Sequence, residues 1–210
     1  MLYLKQLFKA ILDPKGAFEE LKGSVGIKEG VIAWGFSMVV GFMLAYMVAY
    51  NLKFPVFMLD FGVGRSIEAI NILKGAGFGL VVLVIVAFLA NIIAKKLGGT
   101  GDFKETLGML GYTKGLAIVQ GIVSSGISVT MWIMITQMAV KGAQGISAPT
   151  NFLLLFTWPT YILIGMFLVW GLLLESYALS VSNEISMKKA VPIMLVLTII
   201  INTAVGVLAL

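Results

Sequence analysis

Five stretches of the chain are long and nearly free of charge. Residues 31–50 carry no charged side chain. Residues 75–94 lie between Lys74 and the Lys95-Lys96 pair, and residues 115–140 lie between Lys114 and Lys141. A fourth stretch covers 152–178 and a fifth covers 190–210. A helix of about 20 apolar residues crosses the roughly 30 Å hydrocarbon core of a bilayer. The pattern therefore predicts five membrane-crossing helices. Five separate runs, the first beginning after residue 30, do not read as a cleaved signal peptide.

The segment before the first run has a different period. Leu4, Leu7, Phe8, Ile11 and Leu12 recur at helical spacing beside Lys5 and Lys9. That spacing predicts a short amphipathic helix, which either lies on the membrane surface or packs on the protein itself. Asp13-Pro14 ends it and starts another turn, since Asp caps and Pro suits the first helical position. Phe18 and Leu21 give that second helix an apolar side. After the second run, Gly98, Gly99 and Gly101 break the helix. Asp102 and Glu105 then have the spacing of a capping box, ahead of a short helix with Phe103, Leu107 and Leu110 on its apolar side. The expected organisation is a 1–30 amphipathic arm and a 31–210 transmembrane unit. The fold class is an all-α integral membrane protein, a five-helix bundle with short cytoplasmic amphipathic helices.

Charge supplies an orientation. Lys5, Lys9, Lys15, Lys22, Lys28, Lys95, Lys96, Lys104, Lys114, Lys188 and Lys189 fall on one side of five such spans. Only Lys53, Arg65, Lys74 and Lys141 fall on the other. The positive-inside rule puts the N-terminus in the cytoplasm and the C-terminus outside. Composition agrees with a membrane setting. The chain is 60% hydrophobic and 12% charged, beyond what a soluble fold of 210 residues can bury. With no Cys and no His, it lacks the groups for disulfides, thiolate chemistry, Ser-His-Asp triads and the usual zinc sites. The scattered lysines do not form a nucleic-acid-binding stripe. No catalytic, cofactor or metal-binding set is expected.

Two short motifs reduce to simpler readings. Gly99-Thr100-Gly101-Asp102 spells the GxGD string of intramembrane aspartyl proteases. That chemistry needs a second aspartate in another span, and Asp13 and Asp60 both lie outside the runs. Asp60-Phe61-Gly62 spells a kinase triplet without the accompanying loops. Gly75 with Gly79, and Gly111 with Gly115, have the GxxxG spacing that lets helices approach closely.

Polar residues inside the runs point to buried faces, because lipid cannot satisfy them. Gln120, Ser124 and Ser128 recur every four residues, as do Thr198 and Asn202, while Asn91 stands near one end of the second run. These residues suggest an interhelical polar seam. It is read chiefly as structural hydrogen bonding and alternatively as a substrate path. Glu175 is the one acidic residue that falls within a run, and it is placed at the cytoplasmic interface. Pro159 follows Trp158 in the same run and is a candidate kink.

Three segments carry a family resemblance. Asp13-Pro14-x-x-Ala17-Phe18 looks like a pre-span proline motif. Gly98-Gly99-x-Gly101-x-Phe103-x-x-x-Leu107-x-x-x-Gly111-Tyr112 looks like the turn after a second span. Trp170 followed by Glu184-Ile185-Ser186-x-Lys188-x-Ala190 looks like a fourth turn. In this order they resemble the Yip domain, named for Ypt/Rab-interacting proteins. The resemblance implies a five-span bundle with a cytoplasmic N-terminus. For eukaryotic members it implies trafficking roles with prenylated small GTPases and other family members as partners. The short arm, without an Asp-Leu-Tyr-Gly-Pro-like motif, looks more like compact prokaryotic-type members of a plasma membrane.

The expected function is non-enzymatic. The protein organises membrane or binds other membrane proteins, or itself, through a cytoplasmic face. Candidate residues of that face are Leu4, Leu7, Phe8, Ile11, Asp102, Phe103, Tyr112, Lys188 and Lys189. The lipid bilayer is itself a partner, through the apolar arm and its lysines. The alternative is a small transporter or channel using Asn91, Gln120, Ser124, Ser128, Glu175 and Asn202.

Overall fold

The computed structural model describes residues 2–51, 69–123, 126–127, 130 and 149–208. The order of helices is α1 (Leu2–Leu12), α2 (Pro14–Leu21), α3 (Ile27–Asn51), α4 (Ala69–Lys96), α5 (Phe103–Thr113), α6 (Pro149–Asn183) and α7 (Met187–Leu208). Residues 116–123 are also helical. Among the described residues, Lys74–Lys96, Trp158–Asn183 and Met187–Ala204 are long and apolar enough to cross a membrane. The expected first span falls within α3. Most of the expected third span and most of the 51–72 segment lie outside the described residues.

The outward faces of these helices are apolar. Val81, Ile85 and Phe88 on α4, Ile162, Met166 and Val169 on α6, and Val196, Ile199 and Ile200 on α7 are all exposed. Water would penalise so much contiguous apolar surface, whereas acyl chains match it. The protein is an integral membrane protein.

The short helix α5 is the centre of the packing. It contacts α1, α3, α4 and α6. Every residue from Thr106 to Thr113 is buried. An amphipathic helix buries one stripe; α5 buries all sides because glycines let α3 approach its backbone. A Cβ on Gly111 would stand 2.2 Å from the Gly30 carbonyl oxygen, and one on Gly30 would stand 2.6 Å from the Gly108 Cα. Gly111 and Gly115 have GxxxG spacing but serve different neighbours. Gly111 faces α3, while a Cβ on Gly115 would meet the Leu7 side chain of α1 at 2.4 Å. At the other GxxxG, Gly75 and Gly77 face open space, and Gly79 meets Trp34 at ordinary contact distance.

The arm folds against the bundle. Leu7, Ala10 and Ile11 of α1 and Pro14, Ala17, Phe18 and Leu21 of α2 are buried. α1 packs on α2 and α5, and α2 packs on α6. Asp13 caps α2 by accepting from the Gly16 N–H at 3.1 Å, with Pro14 next. The expected capping box at α5 does not form. Asp102 occupies the N-cap position without a side-chain cap bond. Glu105 turns instead to the end of α2 and accepts from the Gly23 N–H at 2.8 Å. The carboxylate satisfies a turn amide outside its own helix.

Candidate functional site

The polar chemistry of the described residues gathers where the ends of α4, α5 and α6 meet. Asn91 comes from α4, Thr106 from α5, and Ser182 and Asn183 from the last turn of α6. All four are buried. The Asn91 amide donates to Asn183 Oδ1 at 2.8 Å and to Thr106 Oγ1 at 3.2 Å, with the Gly101 carbonyl at 3.4 Å. The Asn183 amide donates to Thr106 Oγ1 at 2.9 Å and reaches Ser182 Oγ at 3.0 Å. Thr106 accepts from both amides, and its own hydroxyl reaches the Asp102 carbonyl at 3.0 Å. A buried amide left unpaired costs about 1–3 kcal/mol. Here each is paired, so the group locks the helices together.

Glycines admit this lock. A Cβ on Gly101 would stand 2.0 Å from the Ser182 carbonyl oxygen, and one on Gly99 would stand 2.9 Å from that of Asn183. The loop therefore lies flat on the end of α6, and Thr100 N–H donates to the Asn183 carbonyl at 3.0 Å. Beside it, Ser180 Oγ donates to the Ile185 carbonyl at 2.6 Å and shapes the turn into α7.

An exposed clamp covers the same end. Glu184 has a positive φ of 55°, a region glycine usually fills. Its carboxylate binds the Lys22 ammonium and accepts from Thr100 Oγ1 at 2.6 Å. One side chain thus ties the end of α2, the α4–α5 loop and the α6–α7 turn. Lys22 is the larger cause holding the Glu184 carboxyl below its usual range, and Thr100 adds to it. Glu184 in turn raises Lys22. Lys9 likewise holds Glu20 below the usual range, with Gln6 assisting, and so ties α1 to α2.

The residues expected on an interaction face separate into two groups. Phe8, Asp102, Lys188 and Lys189 are exposed. Lys189 donates to the Leu97 carbonyl at 2.8 Å. Leu7, Ile11 and Tyr112 are 1%, 8% and 3% exposed, so they belong to the core and not to an open face. Phe103 is half-buried and meets Phe88 edge-on, with ring centroids 6.1 Å apart. Leu4 lies in α1, and its side chain is outside the described residues.

The expected seam does not join these helices as one line. Asn91 pairs with Asn183 and Thr106, neither of which was assigned to it. Asn202 is exposed and donates to the Thr198 carbonyl of its own helix at 2.8 Å. A helix can satisfy that amide internally, so α7 needs no partner there. Gln120 lines a half-open, mostly apolar groove of about 310 Å³ against α6, with Thr160 and Phe167 opposite. Ser124 and Ser128 lie outside the described residues. Glu175 forms an ion pair with Lys114, at the break between α5 and the next helical stretch.

Sequence reasoning missed Thr106, Ser182 and Asn183, and named Glu184 only as part of the family motif. The visible signal was the run Ser180-Val181-Ser182-Asn183-Glu184, polar at the end of a long apolar helix. Neither a curated protein nor a solved structure matches the chain. The family model of the Yip1 domain matches residues 8–210, which takes in the arm from Phe8 onward, the glycine loop and the α6–α7 turn. The chain belongs to the Yip1 domain family.

Proposed function

We propose that this is a five-span, non-enzymatic membrane protein with a cytoplasmic N-terminus, and that it organises membrane or binds other membrane proteins through its cytoplasmic face. The observation that carries this reading is the asymmetry of the described surface. Glu184, Lys22, Thr100 and Lys189 bind helix ends and turns together at the lysine-rich end, while the helix flanks present apolar residues suited to lipid. A rigid polar end on an apolar bundle suits binding more than turnover. Lys188 and Asp102 are the exposed residues proposed to meet a partner there. Family membership supports membrane proteins as the partner class, with small GTPases among those the family name implies. The lysine distribution supports the orientation, and the membrane proposed is a prokaryotic plasma membrane.

A photoreactive amino acid placed at Lys188, and separately at lipid-facing Met166, tests this in intact membranes. Protein adducts at 188 and lipid adducts at 166 are expected. Absence of protein adducts at 188, or equal adducts at both sites, would overturn the binding-face reading. The transporter alternative rests on the Gln120 groove. It loses weight because Asn91 and Asn202 have other partners. Solute flux in proteoliposomes, abolished by Gln120→Leu, would restore it.

A further inference from the structure

We infer that α1 is an interfacial helix, embedded sideways in the cytoplasmic leaflet while docked on the bundle, and that phospholipid covers its outer face. The cytoplasmic assignment rests on the orientation proposed above; the embedding rests on geometry.

Depth comes first. The apolar run of α6 from Phe152 ends at Leu174, immediately before Glu175. Trp170 stands four residues inside that limit, about 6 Å along the helix. This is the level where amphipathic indoles collect in membrane proteins. Trp170 Nε1 donates to the Ile11 carbonyl of α1 at 3.2 Å. That bond fixes the end of α1 at the edge of the hydrocarbon region. Glu175, a turn and a half further on, pairs with Lys114 where water and headgroups begin.

The faces of α1 come next. Leu7, Ala10 and Ile11 point into the protein. Phe8 and Leu12, four residues apart, form a second line and are 43% and 82% exposed. Lys5 and Lys9, also four apart, form a third line next to it. Going round the helix, the order is protein, open apolar, basic. A helix on the flank of a bundle at a membrane interface needs that order. Its protein side is filled, its apolar side meets acyl chains, and on its basic side Lys5 reaches phosphates while Lys9 holds Glu20 of α2. A solvated helix would instead leave Leu12 almost wholly in water. α2 marks the limit of the membrane, since Lys15, Glu19 and Glu20 on its outer side are charged and exposed.

The occupant of the Phe8–Leu12 line is therefore the acyl region of the leaflet, continuous with the lipid around Met166 and Val169. Only one leaflet receives α1. It acts as a wedge of about 16 Å length on that side alone, a reach set by its 11 residues.

The chain has no cysteine, so single labels are clean. Phe8→Cys, Leu12→Cys and Glu19→Cys, each spin-labelled, would be reconstituted in vesicles of phosphatidylethanolamine and phosphatidylglycerol. Collision with oxygen, which partitions into lipid, would be compared with collision with a water-soluble nickel chelate. The oxygen-to-chelate ratio is expected to be several-fold higher at 8 and 12 than at 19. Equal ratios at the three positions would place α1 in water and overturn the inference. Labels at 8 and 12 shielded from both reagents would mean a protein segment covers them, which also overturns it. Leu12 is exposed enough that Leu12→Cys alone decides the matter if Phe8→Cys disturbs the fold. Lipid contact at 12 together with no protein adducts at 188 would leave the wedge standing and the binding-face reading refuted.

Discussion

Asn91 and Asn183 face each other amide to carbonyl at 2.8 Å, both buried, from helices 92 positions apart in the chain. Neither can meet water, and both also bond Thr106. This pair holds α4 to α6 at the lysine-rich end.

Replacing Asn183 with Leu leaves the Asn91 amide and Thr106 short of partners. The loss is expected to be about 2–3 kcal/mol, in the range for a buried unsatisfied amide. Asn202→Leu removes a bond made within an exposed stretch of α7 and is expected to change stability by less than about 0.5 kcal/mol. Reversible unfolding of both variants in mixed micelles measures the difference. Equal effects would mean that the buried group is not the lock described.

The glycines separate in the same way. Gly111→Ala drives a methyl group onto the Gly30 carbonyl, a backbone atom that cannot rotate away. A loss of about 1–3 kcal/mol is expected from the forced separation of α3 and α5. Gly77→Ala meets open space on α4 and gains helix propensity, so a neutral or slightly stabilising effect is expected. Melting temperatures of the two variants provide the check.

Among the contacts that hold the arm is a socket for α1. Leu7 seats against Gly115, and Gly115→Ala expels it. Release of α1 is expected to show as faster amide exchange over residues 2–12, with α4 and α7 unchanged. Leu7→Ala empties the socket instead and is expected to weaken docking by about 2–4 kcal/mol, in line with buried leucine truncations. Uniform protection across variants would contradict the socket.

Acid acts on the clamps with a definite sign. Glu184 and Glu20 are held below the ordinary carboxyl value of 4.5 by Lys22 and Lys9 respectively. Their contribution is complete above that value and is lost as pH falls through the lowered one. Lys22 is raised from 10.5, so its share is complete below that value and is lost as pH climbs through the raised one. Thermal stability is expected to decline at both extremes, and Glu184→Gln flattens part of each decline. An unchanged acid limb in Glu184→Gln would remove Glu184 from the account.

Three long apolar helices and the break between α1 and α2 were legible in the sequence because each follows from a single local rule. Apolar runs of sufficient length mark membrane helices, and Asp13-Pro14 marks a helix start. The polar lock was not legible, because its members come from three segments and only Asn91 interrupts an apolar run. Asp102 and Glu105 have the spacing of a capping box, yet the turn at Gly23 competed for the glutamate. The same limit applies to α1. Its period allows either membrane or self-packing. The structure buries Leu7 and Ile11 while leaving Phe8 and Leu12 open, so one helix has faces for both.

Native mass spectrometry after mild crosslinking in the protein's own membrane tests the central claim most directly. The account predicts a reproducible protein partner, or a second copy, bound to the wild-type chain and lost from an Asp102→Lys, Lys188→Glu variant that still folds. A chain that leaves the membrane alone with a stoichiometric small solute, unaffected by those substitutions, would contradict it.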